Sequence, residues 1–559
     1  MQLIVMLLLL SLSTNALKFS PFRRRLHSFR PATTQFSDHR SEQAPAWPHS
    51  HPSKLHRVVA DPYVSTVGAT QYLITEHKFE CPLFYDDDKA DSTINVHCTV
   101  VDKLKSGTSG KSILEFLRHE EVGSLSLVKD YMKLMEQKSS RRSLLYLQGG
   151  PGFGSPRPGS SLSLVSSWAS AAFSRGIDRI VLMDQRGTGG SEVITRQTLE
   201  MKFPKLFVGR GEEGYEEELA NAVDFLSAFR APSIVNDSEV IKKALLNGEQ
   251  WDVCLGQSFG GFTLGTLLTT LPKSEHPKRS IFTGGLAPIH DSVDLTYKAL
   301  WTRIRNCNDH YYRTFVGDVK RVKRIVKFLL NNPQDLPSGG ILTPRRFLQL
   351  GISLGGGTGS HEQLHEIVMQ AFLDDFVDDC DLVIDHNFLR KVDQLQTFGS
   401  NPLYFLLHES IYMNCMGEKS AFAAERVMPH DFRSFDDQTS IDELERCNFF
   451  GETMFSWMSE DYAELSGEGM TDLANRIAEK NDWVDSQLYN EENGLSFESA
   501  SAAVYVDDMY VDMNLSLRTV KKGAALEGVQ CLCTNELQHS GLRIDGENLF
   551  NKLYDMCLV

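Results

Sequence analysis

Apolar and polar positions follow two different rhythms along this chain. Period-two runs come first, in "TQYLITEHKFECPLF" and "STINVHCTVVDKL", and predict strands. Four short apolar runs follow, each ending in glycine: "SLLYLQGGPG", "DRIVLMDQRGTGGS", "WDVCLGQSFGG" and "RSIFTGGLAP". Longer amphipathic stretches separate them, which predicts βαβ units around a mostly parallel central sheet flanked by helices. From about residue 289 to 494 the spacing turns helical, as in "VKRVKRIVKFLLNN" and "GSHEQLHEIVMQAFLDDFVDD". Strand-like runs return at "SAAVYVDDMYV" and "GVQCLCTNEL". The pattern implies an α/β core in two parts, 56–288 and 496–559, interrupted by a mainly helical cap domain over 289–495. No internal repeat is visible.

Composition narrows the partners. Hydrophobic residues make up 41% and charged residues 23%, as in an ordinary globular protein. A net charge of −16 argues against nucleic acid, which is bound with an excess of lysine and arginine. Ten cysteines in 559 residues are too scattered for a disulfide framework, and no CxxC pair suggests zinc. Cys531 and Cys533 lie two apart in a strand-like run, where core packing is the expectation.

The first 16 residues contain "LIVMLLLL", too short to span a bilayer, then "SLSTNA" with a cleavage point after Ala16; they read as a signal peptide. Residues 17–55 begin with an arginine- and serine-rich stretch free of acids, "LKFSPFRRRLHSFRPATTQFS", resembling a transit peptide. The expectation is entry into the secretory pathway, ending in secretion or in a plastid reached by a two-part presequence. Residues 1–40 carry six basic and one acidic side chain, so removing them leaves a still more acidic protein. No later segment is apolar for long enough to form a membrane helix, so stable membrane insertion is not expected. Asn236 in "NDS" and Asn514 in "NLS" are acceptor sequons for a chain that crosses the endoplasmic reticulum.

The chemistry begins at "GQSFGG". Ser258 stands in Gly256-x-Ser258-x-Gly260, between the apolar run "WDVCL" and the helix-like "FTLGTLLTTL". This is the arrangement of a nucleophile elbow, a sharp turn that exposes the serine at the end of a strand. A serine hydroxyl needs a base to take its proton, and the base needs an orienting acid. Asp507 and Asp508 end "AAVYVDD", and His539 ends "CLCTNELQH", giving the order Ser, Asp, His with each residue after its own strand. "LYLQGGPGFGSPRP" trades packing for backbone freedom directly after a strand. It is either a surface loop or a turn that aims N–H groups at a reacting oxygen. In the second reading Gly150 supplies one oxyanion donor and Phe259, directly after the serine, supplies the other. "GGGTG" at Gly355–Gly359 lacks the lysine of a phosphate loop and reads as a plain loop.

The set "LQGGPGFGSPRP", "MDQRGTGGS", "GQSFGGF", "VYVDDMYVD" and "TNELQHSGLR" resembles the proline iminopeptidase (prolyl aminopeptidase) family of α/β-hydrolases. The likeness runs from about residue 70 to the C-terminus and includes the insert, through "LTPRRFLQLG" and "NPLYFLLHESIY". It implies an α/β-hydrolase fold with an inserted helical cap, Ser258 as nucleophile, His539 as base and Asp508 as acid, with Asp507 as the fallback. It also implies that Asp184 ties loops together, and that two cap glutamates, Glu409 and Glu452, hold the substrate's amine. For these glutamates the other reading is an internal salt bridge. Phe455, Trp457 and Tyr412 are candidates for a proline slot, or ordinary cap core. The implied activity is release of N-terminal proline from peptides through an acyl-enzyme, with no metal or cofactor. An esterase, an amidase, a broader aminopeptidase and a non-catalytic binding protein are the alternatives. Oligomeric state is not legible. The chain departs from the family pattern at Gln148, where histidine is commoner, at Gly190, and at Thr453 and Ser456 in "GETMFSW".

Overall fold

The structure is a computed structural model that describes residues 56–557, apart from 86–91, 106, 137–140, 290–291, 358, 397, 415–416, 436 and 483–496. The signal- and transit-peptide expectations for 1–16 and 17–55 therefore fall outside the described residues.

The period-two runs form an antiparallel edge. β1 (His56–Val58) and β2 (Tyr63–Val67) both pair with β3 (Thr70–Pro82), which pairs with β4 (Thr93–Lys103). The apolar runs then become β5 (Ser143–Leu147), β6 (Arg179–Asp184), β7 (Val253–Gln257) and β8 (Arg279–Thr283). Every residue of β5, β6 and β7 is buried, which is why these strands read as continuous apolar segments rather than alternating ones. Between β8 and the next sheet strand the described residues are mostly helical. The longest helices there are Val293–Thr314 and Asp318–Asn331, with a small ribbon of β9 (Gln334–Asp335) and β10 (Ile341–Leu342). The sheet resumes with β11 (Ala500–Tyr505) and closes with β12 (Gln530–Thr534).

The resulting strand order is β1-β3-β4-β6-β5-β7-β8-β11-β12, with β2 attached to β3. All pairs from β6 to β12 are parallel, and β4 joins β6 antiparallel. β7 thus lies inside the sheet, and its C-terminal end is where a ligand site of an α/β sheet is expected. Leu144, Tyr146, Val253 and Leu255 pack under the helices Trp168–Ser174 and Gly546–Met556, with Trp168 stacked on Tyr146 at 4.9 Å. Each large apolar side chain buried here contributes roughly 1.5–3 kcal/mol.

Two local expectations are corrected. The helix predicted across "GSHEQLHEIVMQAFLDDFVDD" stops at Val368. Beyond it Leu373 and Asp385 bond back to Val383 and Ala371, and Arg324 donates to the carbonyls of Asp375 and Val377, so the acidic run turns instead of coiling. Core packing for the Cys531–Cys533 pair is also overturned: β12 is the edge strand, Cys531 is half-buried and Cys533 exposed. Among the described residues all nine cysteines are free, no three metal-ligating side chains converge, and no helix is long and apolar enough to cross a membrane. Asn236 is half-buried within the helix Ala231–Leu246, and Asn514 is exposed on the helix Met513–Thr519.

Candidate active site

β7 feeds directly into the helix Phe259–Thr270, which is buried on every side, and Ser258 is the hinge between them. Its backbone has φ 53° and ψ −125°, a conformation that costs an L-residue about 1–3 kcal/mol and persists where the surroundings impose it. Gly260 shows what imposes it. A β-carbon there would stand 2.1 Å from the Leu147 carbonyl, so only glycine lets the helix come this close to β5.

Ser258 Oγ lies 2.9 Å from His539 Nε2, and His539 Nδ1 lies 2.8 Å from Asp508 Oδ2. The second Asp508 oxygen accepts from the backbone N–H groups of Tyr510 and Val511, at 2.9 and 3.1 Å, which fixes the carboxylate's direction. Asp508 is buried, whereas Asp507 is exposed and turned to solvent. The His539 ring also packs 4.7 Å from Tyr510, and its carbonyl accepts from Gln257. Burial alone would drive the His539 proton affinity down; the charge and hydrogen bond of Asp508 outweigh it, with help from Glu452, so its pKa is raised. A serine, an imidazole and a buried carboxylate in this chain of contacts can move the serine proton onto nitrogen and hold the cation so formed.

The glycine-rich stretch after β5 lies against this serine. A β-carbon on Gly149 would be 2.9 Å from Ser258 Cβ, and Gly150 follows with φ 130°. Phe259 is the first residue of its helix, so its N–H has no intrahelical carbonyl to meet. Gln148 turns back to accept from the Tyr146 hydroxyl at 2.8 Å, while its carbonyl takes Gln185 Nε2 at 2.8 Å. The side chain at 148 is thus engaged away from Ser258, which explains why glutamine serves there. Asp184 accepts from Ser155 N–H and Gly190 N–H, both at 2.7 Å, and also meets His97 and Arg157. It ties the loop after β5 to the loop after β6. Gly190 lies flat on the His97 ring, so this loop is anchored without a side chain at 190.

The helical segment brings Glu409 and Glu452 to the same region. Glu409 accepts from the N–H groups of Ala423 and Ala424, at 3.0 Å each, rather than from an internal salt bridge. Glu452 accepts from the Tyr404 hydroxyl through one oxygen, and its other oxygen lies 3.8 Å from His408 Nε2. Burial pushes both carboxyls up to about 7, against the hydrogen bonds that pull them down. Glu452 and His539 feel each other's charge, so the two lie within one electrostatic neighbourhood. Tyr412 connects the set. Burial first, then Glu452, Asp508 and Glu409, raise its hydroxyl well above the ordinary value.

Of the three proposed ring residues, Tyr412 stands here, against Phe262, Tyr297 and His408. Phe455 and Trp457 stack on each other and contact Trp301, Phe450 and Arg345, as core of the helical segment. Ser456 uses both its N–H and its hydroxyl on Glu425, at 2.8 Å each, and Thr453 is fully buried with its carbonyl on Gln349. Tyr404, His408, Tyr297 and Tyr510 were missed at the level of sequence. The "FLLHESIY" stretch holds one of them beside Glu409, but helical spacing does not say which face meets the serine.

A strained serine between strand and helix, in a mostly parallel sheet with a facing imidazole and carboxylate, makes the protein an α/β-hydrolase. No family model matches the chain. The proline iminopeptidase of Aeromonas sobria is 35% identical over 411 residues, covering 73% of this chain and 86% of the relative. The proline iminopeptidase aneH of Aspergillus aculeatus is 31% identical over 422 residues, covering 74% and 84%. A solved structure of esterase E22 aligns over 87% of this chain and all of its own, at 10% identity and a TM-score of 0.39. The chain belongs to the proline iminopeptidase family, and it is a hydrolase with aminopeptidase activity.

Proposed function

We propose that this enzyme releases N-terminal proline from peptides through an acyl-enzyme on Ser258. His539 takes the Ser258 proton as the hydroxyl attacks the scissile carbonyl, and Asp508 orients and stabilises the imidazolium. The N–H groups of Phe259 and Gly150 receive the oxyanion. His539 then returns the proton to the departing amine, and water, activated by the same ring, frees proline and restores the serine.

The observation that carries the aminopeptidase reading is the neighbourhood of Glu452 and His539. A buried acid beside a catalytic base is costly unless a cation joins it, and the protonated amine of a peptide's first residue is such a cation. Among the described residues Glu452 keeps one oxygen without a hydrogen bond after its contact with Tyr404, and Glu409 keeps acceptor capacity beyond Ala423, Ala424 and Ser420, which supports both as acceptors for that amine. The helical segment acts as a cap that carries these acids over the sheet. The substrates are peptides, and the chemistry requires no metal or cofactor. Release of a chromogenic amine from prolyl, leucyl and N-acetyl-prolyl amides tests the reading, with Ser258→Ala as control. Turnover of the free prolyl amide, lost on acetylation and in Ser258→Ala, is the expected result; equal cleavage of the acetylated amide would sink it.

A further inference from the structure

A buried imidazole beside Glu452 is unexplained by the reaction above. His408 is 1% exposed, yet among the described residues neither ring nitrogen has a hydrogen-bond partner. Tyr404 and Tyr412 meet its ring edge-on, at 5.2 and 5.9 Å. Burial drives its pKa down to about 3, so the ring is neutral and always keeps one bare nitrogen. The Tyr297 hydroxyl, whose ring packs edge-on against Tyr412 and which feels the charges of Glu409 and Glu452, is likewise buried without a partner among the described residues. An unmade hydrogen bond on a buried polar atom costs about 1–3 kcal/mol, so two such residues around one pair of acids point to a polar ligand.

The geometry specifies what kind. His408 Nε2 and Glu452 Oε2 are 3.8 Å apart, and the other Glu452 oxygen is already occupied by Tyr404. Two acceptors at that separation can both lie about 2.9 Å from a single nitrogen. A protonated proline amine carries two N–H donors, which the aminopeptidase reading assigns to Glu409 and Glu452. A primary ammonium carries a third.

We propose that His408 is a specificity-determining residue whose Nε2 accepts the third N–H of a primary ammonium, extending the enzyme's range from N-terminal proline to small residues such as alanine. The inference rests on the aminopeptidase reading. Without His408 a primary ammonium would bury one donor unpaired, whereas the proline amine would lose nothing of that kind.

The test compares kcat/KM for alanyl and prolyl amides. The unmodified enzyme turns over the alanyl amide. His408→Phe, which keeps the ring volume and removes both nitrogens, lowers the alanyl-to-prolyl ratio about ten-fold or more. His408→Gln, whose amide oxygen reaches the position of Nε2, restores much of that ratio. His408→Leu repeats the test should the Phe variant not fold. A ratio unchanged in a folded Phe or Leu variant, an equal loss on both substrates, failure of Gln to differ from Phe, or no alanyl turnover by the unmodified enzyme overturns the proposal. N-acetyl-prolyl amide is run in parallel. Its cleavage at the prolyl rate would defeat the amine-binding reading itself, whatever the His408 variants do.

Discussion

The sheet side and the helical side of this site are built on opposite terms. On the sheet side the groups in line with the serine are each met: Ser258 by His539, His539 by Asp508, Asp508 by two backbone N–H groups, Asp184 by four donors. On the helical side two carboxyls are pushed up to about 7 by burial and an imidazole stands unpartnered. Perturbed groups of this kind concentrate where a ligand completes the structure. In the reading proposed above the contrast is a division of labour: one side is already paired in the free protein and sets the reaction, and the other is left incomplete and chooses the substrate.

Substitutions at the two adjacent aspartates probe the finished side with the largest contrast. Asp508→Asn lowers kcat about 10⁴-fold, because the wrong tautomer of His539 is then held. Asp507→Asn, on an exposed side chain, leaves kcat within about two-fold, since surface changes away from such contacts are small. Comparable losses in both would dissolve the distinction, and amide turnover at saturation reads it directly.

Glu452→Gln addresses the unfinished side. It lowers kcat/KM for prolyl amides about 100-fold, mostly through KM, as expected for loss of a charge-assisted bond. Thermal unfolding of the variant is unchanged or raised, because a buried acid has been neutralised. A variant that loses stability together with activity would move Glu452 to the structural side of the comparison.

The pH dependence sharpens the same line. Both glutamates have raised pKa values, so they are protonated below about 7 and gain their charge as pH rises through it. KM for prolyl amide accordingly falls several-fold between about pH 6 and about pH 8, and this trend flattens in Glu452→Gln. kcat follows His539 instead, rising with pH as the ring loses its proton above the ordinary histidine value. Coincident profiles for kcat and KM would show one group governing both.

The smallest expected effect separates the two acids from each other. Glu409 holds two N–H groups with its two oxygens, and glutamine would turn an NH₂ against one of them. Glu409→Gln therefore costs about 1–3 kcal/mol of stability, read in a denaturant titration, where Glu452→Gln costs none.

The same contrast explains what could be read from sequence. The sheet side was legible because its demands are local: glycines around Ser258, an apolar run before it, and acid and base after later strands. What sequence left open there was a choice between neighbours, and the turn whose N–H groups at Tyr510 and Val511 grip Asp508 decides it. The helical side was legible only through the resemblance. Tyr404, His408 and Tyr412 acquire their roles from tertiary contact, and their spacing is that of any buried helix. Phe455 and Trp457 were equally plausible slot residues by type, yet they lie in the packed interior of that segment. The missed turn after Val368 has the same origin, because arginine contacts from a distant helix override local propensity.

Gly152 meets the backbone of Tyr404 so closely that a β-carbon there would stand 3.0 Å from the Tyr404 nitrogen, and the Tyr404 hydroxyl reaches Glu452. The loop beside Ser258 and the residue that holds Glu452 therefore share one seam. Such a seam works as a calliper: in the reading proposed above one jaw meets the peptide's amine and the other lies beside the serine, so the span between them is set by backbone packed on backbone as well as by side chains.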